Sequence, residues 1–590
     1  MKVTPFEFYT NEEKRFQGLF SKAQKQLRIY SLIRFVAFVS TIFLIYFFLG
    51  NQNVVLTSVV VGGTIFGVFL KKYWRKKEET EHFSRLIDIN NLELAVLKGD
   101  TSMLDRGDRF KDPKHAYSFD IDIFGESSFF QFLNRTSTIA GTEKLVSLLN
   151  QNSIDGIEQK QEAVKELAFV AKWRQEYAAL ASSVQTEISP NEVIRWLHSH
   201  KTSLPGFGKW LPFVFSMVSL LLVFAISFLN ISFNFLTIWF FVGLGISGFI
   251  IKKVNHLYVR VGKVKATFQQ YYKLLELLEK KEFSADSLVQ MRTKIKTTEK
   301  KASKEMAVFF NHLNALDQRN NIIFAIFGNG LLLWDFKQAY RVEQWMDANK
   351  DYVKDWFEVV SFFDAYNSLA NYAFNNPEFT YASISNEAAV IDAKGLGHPS
   401  LAASKRITSD CIISNNDFFI VTGANMAGKS TFLRTISLSI LMSNIGLPVC
   451  AQEMKYNPIK LITSIRNSDS LSEDTSYFFS ELKRLKYIVD AIKKDNYFIV
   501  LDEILKGTNS TDKAEGSQKF VEKLVSSNAT GIIATHDLSL CEIESEYEEI
   551  HNYYFDAEIK NDELYFDYKL KKGVCQNMNA SFLLRKMEIV

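Results

Sequence analysis

The sequence predicts a multi-domain α + α/β protein with four transmembrane helices in two hairpins, a helical core and a C-terminal phosphate-loop α/β domain. Two pairs of long apolar runs lie in the first half of the 590 residues. Polar segments with helical periodicity separate and follow these pairs. From about Asp410 onward, short apolar strands alternate with helices, which is the pattern of a parallel α/β sheet.

The apolar runs have the length and composition of membrane helices. The first pair covers 31–50 and 54–70, and the second covers 210–230 and 233–251. A membrane helix needs about 20 mostly apolar residues, and Arg34 is the only charged residue in these runs. An amphipathic core helix would interrupt its apolar run every three or four residues. We therefore predict two membrane hairpins.

The flanking charges predict the orientation of both hairpins. The links inside each pair carry no lysine or arginine, whereas the outer flanks carry Lys71, Lys72, Arg75, Lys76 and Lys77, then Lys209, and then Lys252, Lys253, Arg260, Lys263 and Lys265. The positive-inside rule places such flanks in the cytoplasm. We expect a multi-pass protein of the inner or plasma membrane whose N- and C-terminal domains are cytoplasmic.

The predicted domain order follows from these runs. A cytosolic segment at 1–30 precedes hairpin 31–70, and a second hairpin, 210–251, divides a helical core into 84–200 and 256–390, followed by an α/β domain at 395–590. The apolar run from Ile322 to Trp334 is too short to span a membrane, and we predict a buried core helix there. The four cysteines have no metal-ligand spacing and are expected to be reduced thiols. The net charge of +3 is too small to indicate nucleic-acid binding.

A phosphate-binding loop lies between a predicted strand at 418–421 and a predicted helix. The pattern G-x-x-x-x-G-K-[ST] predicts a loop whose backbone amides cradle phosphate oxygens at a helix N-terminus. Its lysine reaches the β- and γ-phosphates, and its serine hydroxyl binds Mg²⁺. The predicted nucleotide-binding residues are Gly423, Ala424, Asn425, Met426, Ala427, Gly428, Lys429, Ser430 and Thr431.

Two further strands end in polar residues that suit ATP hydrolysis. The strand 497–501 is followed by Asp502 and Glu503, and the strand 531–535 is followed by His536. Asp502 is predicted to hold the Mg²⁺ shell together with Ser430. Glu503 is the predicted catalytic base that orients or deprotonates the attacking water. His536 is the second predicted catalytic residue and senses the γ-phosphate. The predicted cofactors are ATP and Mg²⁺.

These residues resemble the MutS family, a group of DNA mismatch repair ATPases. The loop GANMAGKST is similar to the family's G-P-N-M-G-G-K-S-T, and residues 501–510 are similar to D-E-I-G-R-G-T-S-T. The segments Gly397-His398-Pro399 and Ala534-Thr535-His536 resemble the family's H-P and A-T-H elements. Residues 474–481 are similar to its S-T-F-M-x-E signature, and residues 123–164 weakly resemble the start of its helical core.

The resemblance implies more than nucleotide binding. It makes Ser476 the signature serine, which would complete the ATP site of the partner subunit across a homodimer. It also implies a MutS/ABC-type ATPase and DNA binding related to mismatch repair. The chain departs from the family at Ala424, Ala427 and Lys506, and a membrane hairpin stands where a mismatch-reading domain is expected.

Two other functions stay open at this level. An ATP-switched membrane scaffold that binds unidentified proteins would have nearly the same sequence features. A half of an ABC-type transporter would combine spans and a phosphate loop. Against the transporter, four spans are few, no L-S-G-G-Q precedes Asp502, and the spans carry no polar residues typical of a substrate path.

Overall fold

The computed structural model describes residues 4–576, except 185, 187, 230, 297–300, 386–388, 425, 467–476 and 561–562. This part of the chain is multi-domain and mostly helical, with two β-sheets in its C-terminal third. The helices before the first strand are α1 Pro5–Phe47, α2 Gln52–Leu97, α3 Phe129–Leu133, α4 Ile139–Asn150, α5 Ile157–Phe169, α6 Ala171–Ala181, α7 Pro190–Ser199, α8 Leu211–Leu229, α9 Asn234–Lys280, α10 Asp286–Thr293, α11 Ala302–Asp317, α12 Ile322–Leu332 and α13 Trp334–Asn375.

Three of the predicted spans lie in helices much longer than a membrane requires. Helices α1, α2 and α9 contain 43, 46 and 47 residues, so they continue from an apolar run into polar sequence without a break. Helix α8 has 19 residues and consists almost entirely of its span. All four helices are long and apolar enough to cross a membrane, and almost none of their apolar windows is buried in the protein. The helices therefore run across the predicted borders near residues 30, 84 and 256.

The helical core is organised around α13. This helix packs against α4, α5, α9 and α11, and it buries an aromatic cluster that includes Trp345, Trp356, Phe357 and Phe363. Its C-terminal part also holds the N-terminal hairpin: the Tyr9 hydroxyl donates to Asn375 at 2.9 Å, and the Asn375 amide donates to Glu93 at 2.8 Å. The core thus joins both candidate membrane hairpins to a helix that leads into the sheets.

The predicted buried core helix at 322–334 is wrong. Helix α12 forms there, but its Ile322 and Ile323 are 72% and 67% exposed, and Ile326 and Phe327 are exposed as well. Its opposite face, which includes Gly328 and Gly330, packs on α8 and α9. Helix α12 has 11 residues, fewer than a span needs, but length gives no information about which helices lie beside it.

Two sheets follow α13. The strands are β1 Ser383–Ile384, β2 Ala389–Leu396, β3 Ser409–Ser414, β4 Phe418–Gly423, β5 Glu453–Tyr456, β6 Lys460–Ser464, β7 Tyr497–Asp502, β8 Thr530–Ala534, β9 Ile550–Lys560 and β10 Glu563–Lys572. A mixed sheet has the order β1-β5-β2-β3, and a larger sheet has the order β10-β9-β4-β8-β7-β6. In the larger sheet, strands β9, β4, β8, β7 and β6 are parallel and β10 is antiparallel.

Three helices accompany the larger sheet, and they complete the predicted α/β domain. They are α14 Lys429–Asn444, α15 Tyr477–Ile492 and α16 Ser510–Val525. Every residue of β4 and of β8 is buried, which explains their continuous apolar sequences. The sequence prediction of strands at 418–421, 497–501 and 531–535 is confirmed as β4, β7 and β8.

The helical core contacts this domain beside β6. The carboxylate of Asp120 accepts hydrogen bonds from the Thr463 hydroxyl and from the backbone amides of Ile465 and Arg466. The next acidic residue, Asp122, pairs with Arg466 and lies 3.3 Å from Arg434 of α14. One short segment of the core therefore touches both the end of β6 and the helix that follows the phosphate loop.

Candidate functional site

The predicted site residues converge at the carboxyl edge of the larger sheet. Strand β8 lies between β4 and β7, and all three are parallel, so their C-terminal ends share one edge. Ligands of open α/β sheets bind at this edge. Backbone hydrogen bonds fix the three ends to one another: Glu503 N donates to Ala534 O at 2.9 Å, and Thr535 N donates to Val421 O at 3.0 Å.

The phosphate loop has the backbone that its two glycines allow. Gly423 has φ 145° and Gly428 has φ 112°, a region that side chains strongly disfavour. A Cβ on Gly423 would also lie 2.6 Å from the carbonyl oxygen of Phe555 on β9. The loop passes directly into α14 at Lys429, so the positive end of that helix faces the edge. This geometry suits the binding of an anion.

Lys429 is buried and bound to the loop. Its Nζ donates to the carbonyl oxygens of Gly423 and Ala424 at 2.7 and 3.0 Å. It also lies 3.2 Å from Nε2 of His536. Burial lowers the pKa of Lys429 more than the carboxylates of Asp502 and Glu503 raise it.

Ser430 and Asp502 form the predicted metal pair. The Ser430 hydroxyl donates to Asp502 Oδ2 at 2.9 Å, so two hard oxygen donors lie side by side. Mg²⁺ prefers oxygen ligands and keeps several waters of its own, and this pair fits that preference. Burial raises the pKa of Asp502, against the hydrogen bond from Ser430 and the charges of Lys506 and Lys429. No cluster of three or more His, Cys, Asp or Glu that would suit a metal occurs in the described residues.

Glu503 follows Asp502 in a strained conformation and has two basic neighbours. Its φ is 45°, which is uncommon for a residue with a side chain. Lys506 Nζ lies 3.2 Å from Glu503 Oε2, and His536 Nε2 lies 3.4 Å from Oε1. Burial alone raises the pKa of Glu503, but the ammonium of Lys506 and the smaller effects of His536 and Lys513 outweigh it and hold that pKa below its usual value.

The surroundings of His536 favour its neutral form. Burial lowers the pKa of His536, and the nearby ammonium of Lys429 lowers it further against the carboxylates of Glu503 and Asp502. A neutral imidazole can donate one hydrogen bond and accept another. In His536 the same nitrogen, Nε2, faces both Lys429 Nζ and Glu503 Oε1, so it can accept from Lys429 or donate to Glu503 but not do both at once.

A cleft of about 490 Å³ contains most of the predicted residues. It is lined by Ala424, Met426, Gly428, Lys429, Ser430, Thr431, Asp502, Glu503, Lys506, His536 and Tyr568. Ala427 is a loop residue that is fully buried and does not line the cleft. Asn425 and Ser476 lie outside the described residues.

The sequence prediction did not include two parts of the site. Tyr568 of β10 lies over the loop, and a Cβ on Gly428 would be 3.3 Å from its ring. A second cavity of about 330 Å³ adjoins the first at Gly428, Thr431 and Tyr568, and Ile407 and Phe555 add apolar surface to it. Tyr568 lies 140 positions from Gly428 and outside the motifs that predict the site, so the sequence gives no sign of this contact.

Comparison with known proteins locates the similarity in the C-terminal domain. Residues 419–585 match the family model described as MutS domain V. Over 193 residues, 31% of this chain, the sequence is 33% identical to MutS protein homolog 4 of Homo sapiens and covers 20% of that protein. Over 233 residues, 38% of this chain, it is 32% identical to the DNA mismatch repair protein MutS of Finegoldia magna and covers 27% of it. The match therefore spans about a quarter or less of these relatives.

Proposed function

We propose that this chain, which belongs to the MutS family through its domain V, is a membrane-tethered ATPase that closes and reopens as a dimer. The observation that carries the proposal is the convergence of Lys429, Ser430, Asp502, Glu503 and His536 on one cleft. Members of the MutS family are ATPases. The loop glycines, the helix end and the lysine supply the binding chemistry for a triphosphate, and the acidic pair supplies the chemistry for its hydrolysis.

Each residue has a distinct role in this proposal. The loop amides and Lys429 bind the β- and γ-phosphates, and Ser430 and Asp502 hold Mg²⁺, which would neutralise charge that develops on the phosphates. Glu503 is a carboxylate at neutral pH and orients a water or accepts its proton. His536, which lies beside Lys429 and Glu503, senses the γ-phosphate. The apolar cavity beside Gly428 and Tyr568 has the position and lining to take the nucleoside base.

Hydrolysis is tested with two variants and a matched control. Lys429→Ala should lose binding of Mg-ATP, whereas Glu503→Gln should bind Mg-ATP and lose at least about a hundredfold in turnover. Lys523→Ala removes an exposed lysine of α16 and should behave like the unsubstituted protein. Turnover that survives Lys429→Ala would disprove the assignment.

The dimer is tested by mixing inactive subunits. If Ser476 completes the partner's site, a dimer of one Lys429→Ala subunit and one Ser476→Ala subunit holds one intact composite site. Mixing the two inactive proteins should then restore part of the ATPase activity. If each site is complete within one subunit, mixing restores none.

We propose that the movement reaches the membrane through long helices. Helix α9 extends without a break from its apolar run into the core, and α13 runs from α12 to the start of the sheets. The contacts of Asp120 and Asp122 support a second connection, because they join the core to β6 and to α14. Four apolar helices and their basic flanks support a multi-pass location with cytoplasmic terminal domains.

DNA is the proposed macromolecular ligand, because the chain is related to DNA mismatch repair proteins. The alternative ligand is a protein. A phosphate-binding surface gives binding that weakens steeply with salt. The Glu503→Gln protein in detergent should retain DNA at low salt in the presence of ATP and release it at higher salt. Retention of protein partners without nucleic acid would support the ATP-switched scaffold instead.

A further inference from the structure

Two polar residues just before α12 hold the N-terminal end of this helix against α9. Arg319 donates to Asn255 at 2.6 Å, and Asn320 donates to the Tyr258 hydroxyl at 2.7 Å. Both partners lie on α9 a few residues after Ile251, beside the basic flank that starts at Lys252. The first turn of α12 therefore lies where α9 leaves its apolar run.

The other end of α12 lies deep beside that run. A Cβ on Gly243 would be 2.3 Å from the carbonyl oxygen of Gly330, so the two backbones touch. At a rise of 1.5 Å per residue, Gly243 lies about 12 Å along α9 from Ile251. Ser219, which contacts the same end of α12, lies about 12 Å along α8 from Leu211. Both estimates place this end nearly half-way across a hydrocarbon layer of about 30 Å.

The backbone at the deep end has protein partners in place of water. The Ser219 hydroxyl donates to Leu331 O at 2.6 Å and also accepts from Trp239 Nε1 at 3.0 Å. Leu333 is fully buried and turns the chain with φ 48°, and Asn329 Oδ1 accepts from Asp335 N at 2.9 Å. Within a membrane, a non-helical turn is tolerated only where the protein satisfies its polar groups. These contacts satisfy the polar groups named here.

The outer face of α12 is apolar and exposed, and α8 and α9, on which it packs, also carry exposed apolar residues. Ile322, Ile323, Ile326 and Phe327 are exposed, as are Leu220 of α8 and Phe241 of α9. The polar residues near α12 lie at its shallow end or on its inner side. An apolar surface of this extent requires a cover other than water.

We infer that α12 is a re-entrant helix that enters the cytoplasmic leaflet beside α8 and α9 and contacts its acyl chains through Ile322, Ile323, Ile326 and Phe327. This inference rests on the proposed membrane location of α8 and α9. Helix α13 begins at the turn after α12, so the first residues of α13 lie inside the leaflet. The partner of this surface is lipid, not a second protein.

Site-directed spin labels in the full chain test the inference. Single cysteines replace Ile326 and Phe327 on α12, Leu220 on α8 as the lipid reference, and Val308 on α11 as the water reference. The four native cysteines are buried, so little label should attach to them. Labelling of the unsubstituted protein measures this background. The proteins are placed in vesicles of phosphatidylcholine and phosphatidylglycerol. Relaxation by oxygen, which concentrates in lipid, is compared with relaxation by a water-soluble nickel chelate.

The expected result is a ratio of oxygen to nickel accessibility at both α12 positions that matches Leu220 and is several-fold above Val308. A ratio at Phe327 equal to that of Val308, with Leu220 still in lipid, overturns the re-entrant helix alone. Exclusion of both reagents from α12 indicates a protein cover and also overturns it. Access of the nickel chelate to a label at Leu220 would disprove the proposed membrane location itself. This outcome distinguishes a failure of the membrane location from a failure of the re-entrant helix alone.

Discussion

The carboxylate of Glu481 accepts a 2.7 Å hydrogen bond from the backbone amide of Leu505. It also accepts a hydrogen bond of 3.1 Å from the amide of Lys506. Glu503 and Leu505 have φ values of 45° and 61°, so the turn between them is strained. Such conformations persist where the surroundings fix them. Glu481 therefore holds the turn that presents Glu503 to the cleft.

We predict that Glu481→Ala lowers ATP turnover without a comparable loss of ATP binding. The substitution leaves two amide donors of the turn without their acceptor, which costs about 1–3 kcal/mol for each buried group. The substitution does not touch the loop at 423–431, which we propose binds the phosphates. Separate measurements of Mg-ATP affinity and of kcat check this prediction.

The matched control is Glu515→Ala on α16, which removes an exposed carboxylate that pairs with Lys519. This variant should leave both quantities unchanged. A loss of affinity in Glu481→Ala as large as its loss of kcat would contradict a role confined to the turn.

The site was predictable from sequence where its residues are contiguous or end a strand. The phosphate loop, Asp502, Glu503 and His536 belong to short motifs, and the order of parallel strands brings such ends together. The contacts of Glu481 and Asp122 were not predictable, because each joins segments that are not adjacent in the chain. Asp122 lies 312 positions before Arg434, and the fold alone brings the two side chains within 3.3 Å.

The fold was predictable to a similar extent. Apolar length predicted the four helices that are long and apolar enough to span a membrane, and alternation of strands and helices predicted the larger sheet. The same length criterion predicted a buried helix at 322–334, although Ile322 and Phe327 are exposed. Burial of a short apolar helix depends on its neighbours, and the fit of Gly330 against Gly243 is a property of two distant segments.

His398 gives the C-terminal domain a predictable sensitivity to acid. Burial, with Arg434 and Arg406 nearby, lowers the pKa of His398 from 6.5 to about 4, and Asp122 opposes this only in part. Its Nδ1 accepts from Ser400 N at 3.3 Å, which requires the neutral ring. The unfolded chain binds this proton first, so the stability is complete above pH 6.5 and is lost as the pH falls toward 4.

We predict that His398→Asn reduces this loss, since an amide oxygen can accept the same hydrogen bond and does not titrate. At 1.4 kcal/mol for each unit of pKa, the contribution at stake is about 3 kcal/mol in full and about 2 kcal/mol by pH 5. Melting temperatures of the solubilised protein from pH 7.5 to pH 5 check it, with the exposed His256→Asn as the control. An equal fall in melting temperature for both variants would refute the assignment to His398.

Glu93 is predicted to be the residue that keeps the N-terminal hairpin on the core. It is buried, pairs with Arg135 Nε at 2.6 Å, and accepts from the side-chain amides of Asn371 and Asn375. Glu93→Gln leaves Arg135 as a buried charge without its partner, which costs about 3–5 kcal/mol. Amide hydrogen exchange in the polar part of α1, before residue 31, should therefore increase.

The control for this prediction is Glu79→Gln on the same helix. Glu79 pairs with Lys76 but is 43% exposed, so the loss of its charge has little effect on stability. If Glu93→Gln leaves exchange in α1 as slow as Glu79→Gln does, the hairpin is held by its apolar contacts alone.

Lys506 is predicted to set the pH range in which Glu503 acts. Its ammonium lies 3.2 Å from Glu503 and is the main charge that holds the pKa of this carboxyl below its usual value against the effect of burial. Lys506→Met removes that charge and should raise the pKa of Glu503. A base must be deprotonated to act, so the acid limb of the profile of kcat against pH should move to higher pH. Lys506→Arg retains the charge and should leave the acid limb at its original pH. If the acid limb of Lys506→Met also stays in place, Glu503 is not the group that titrates.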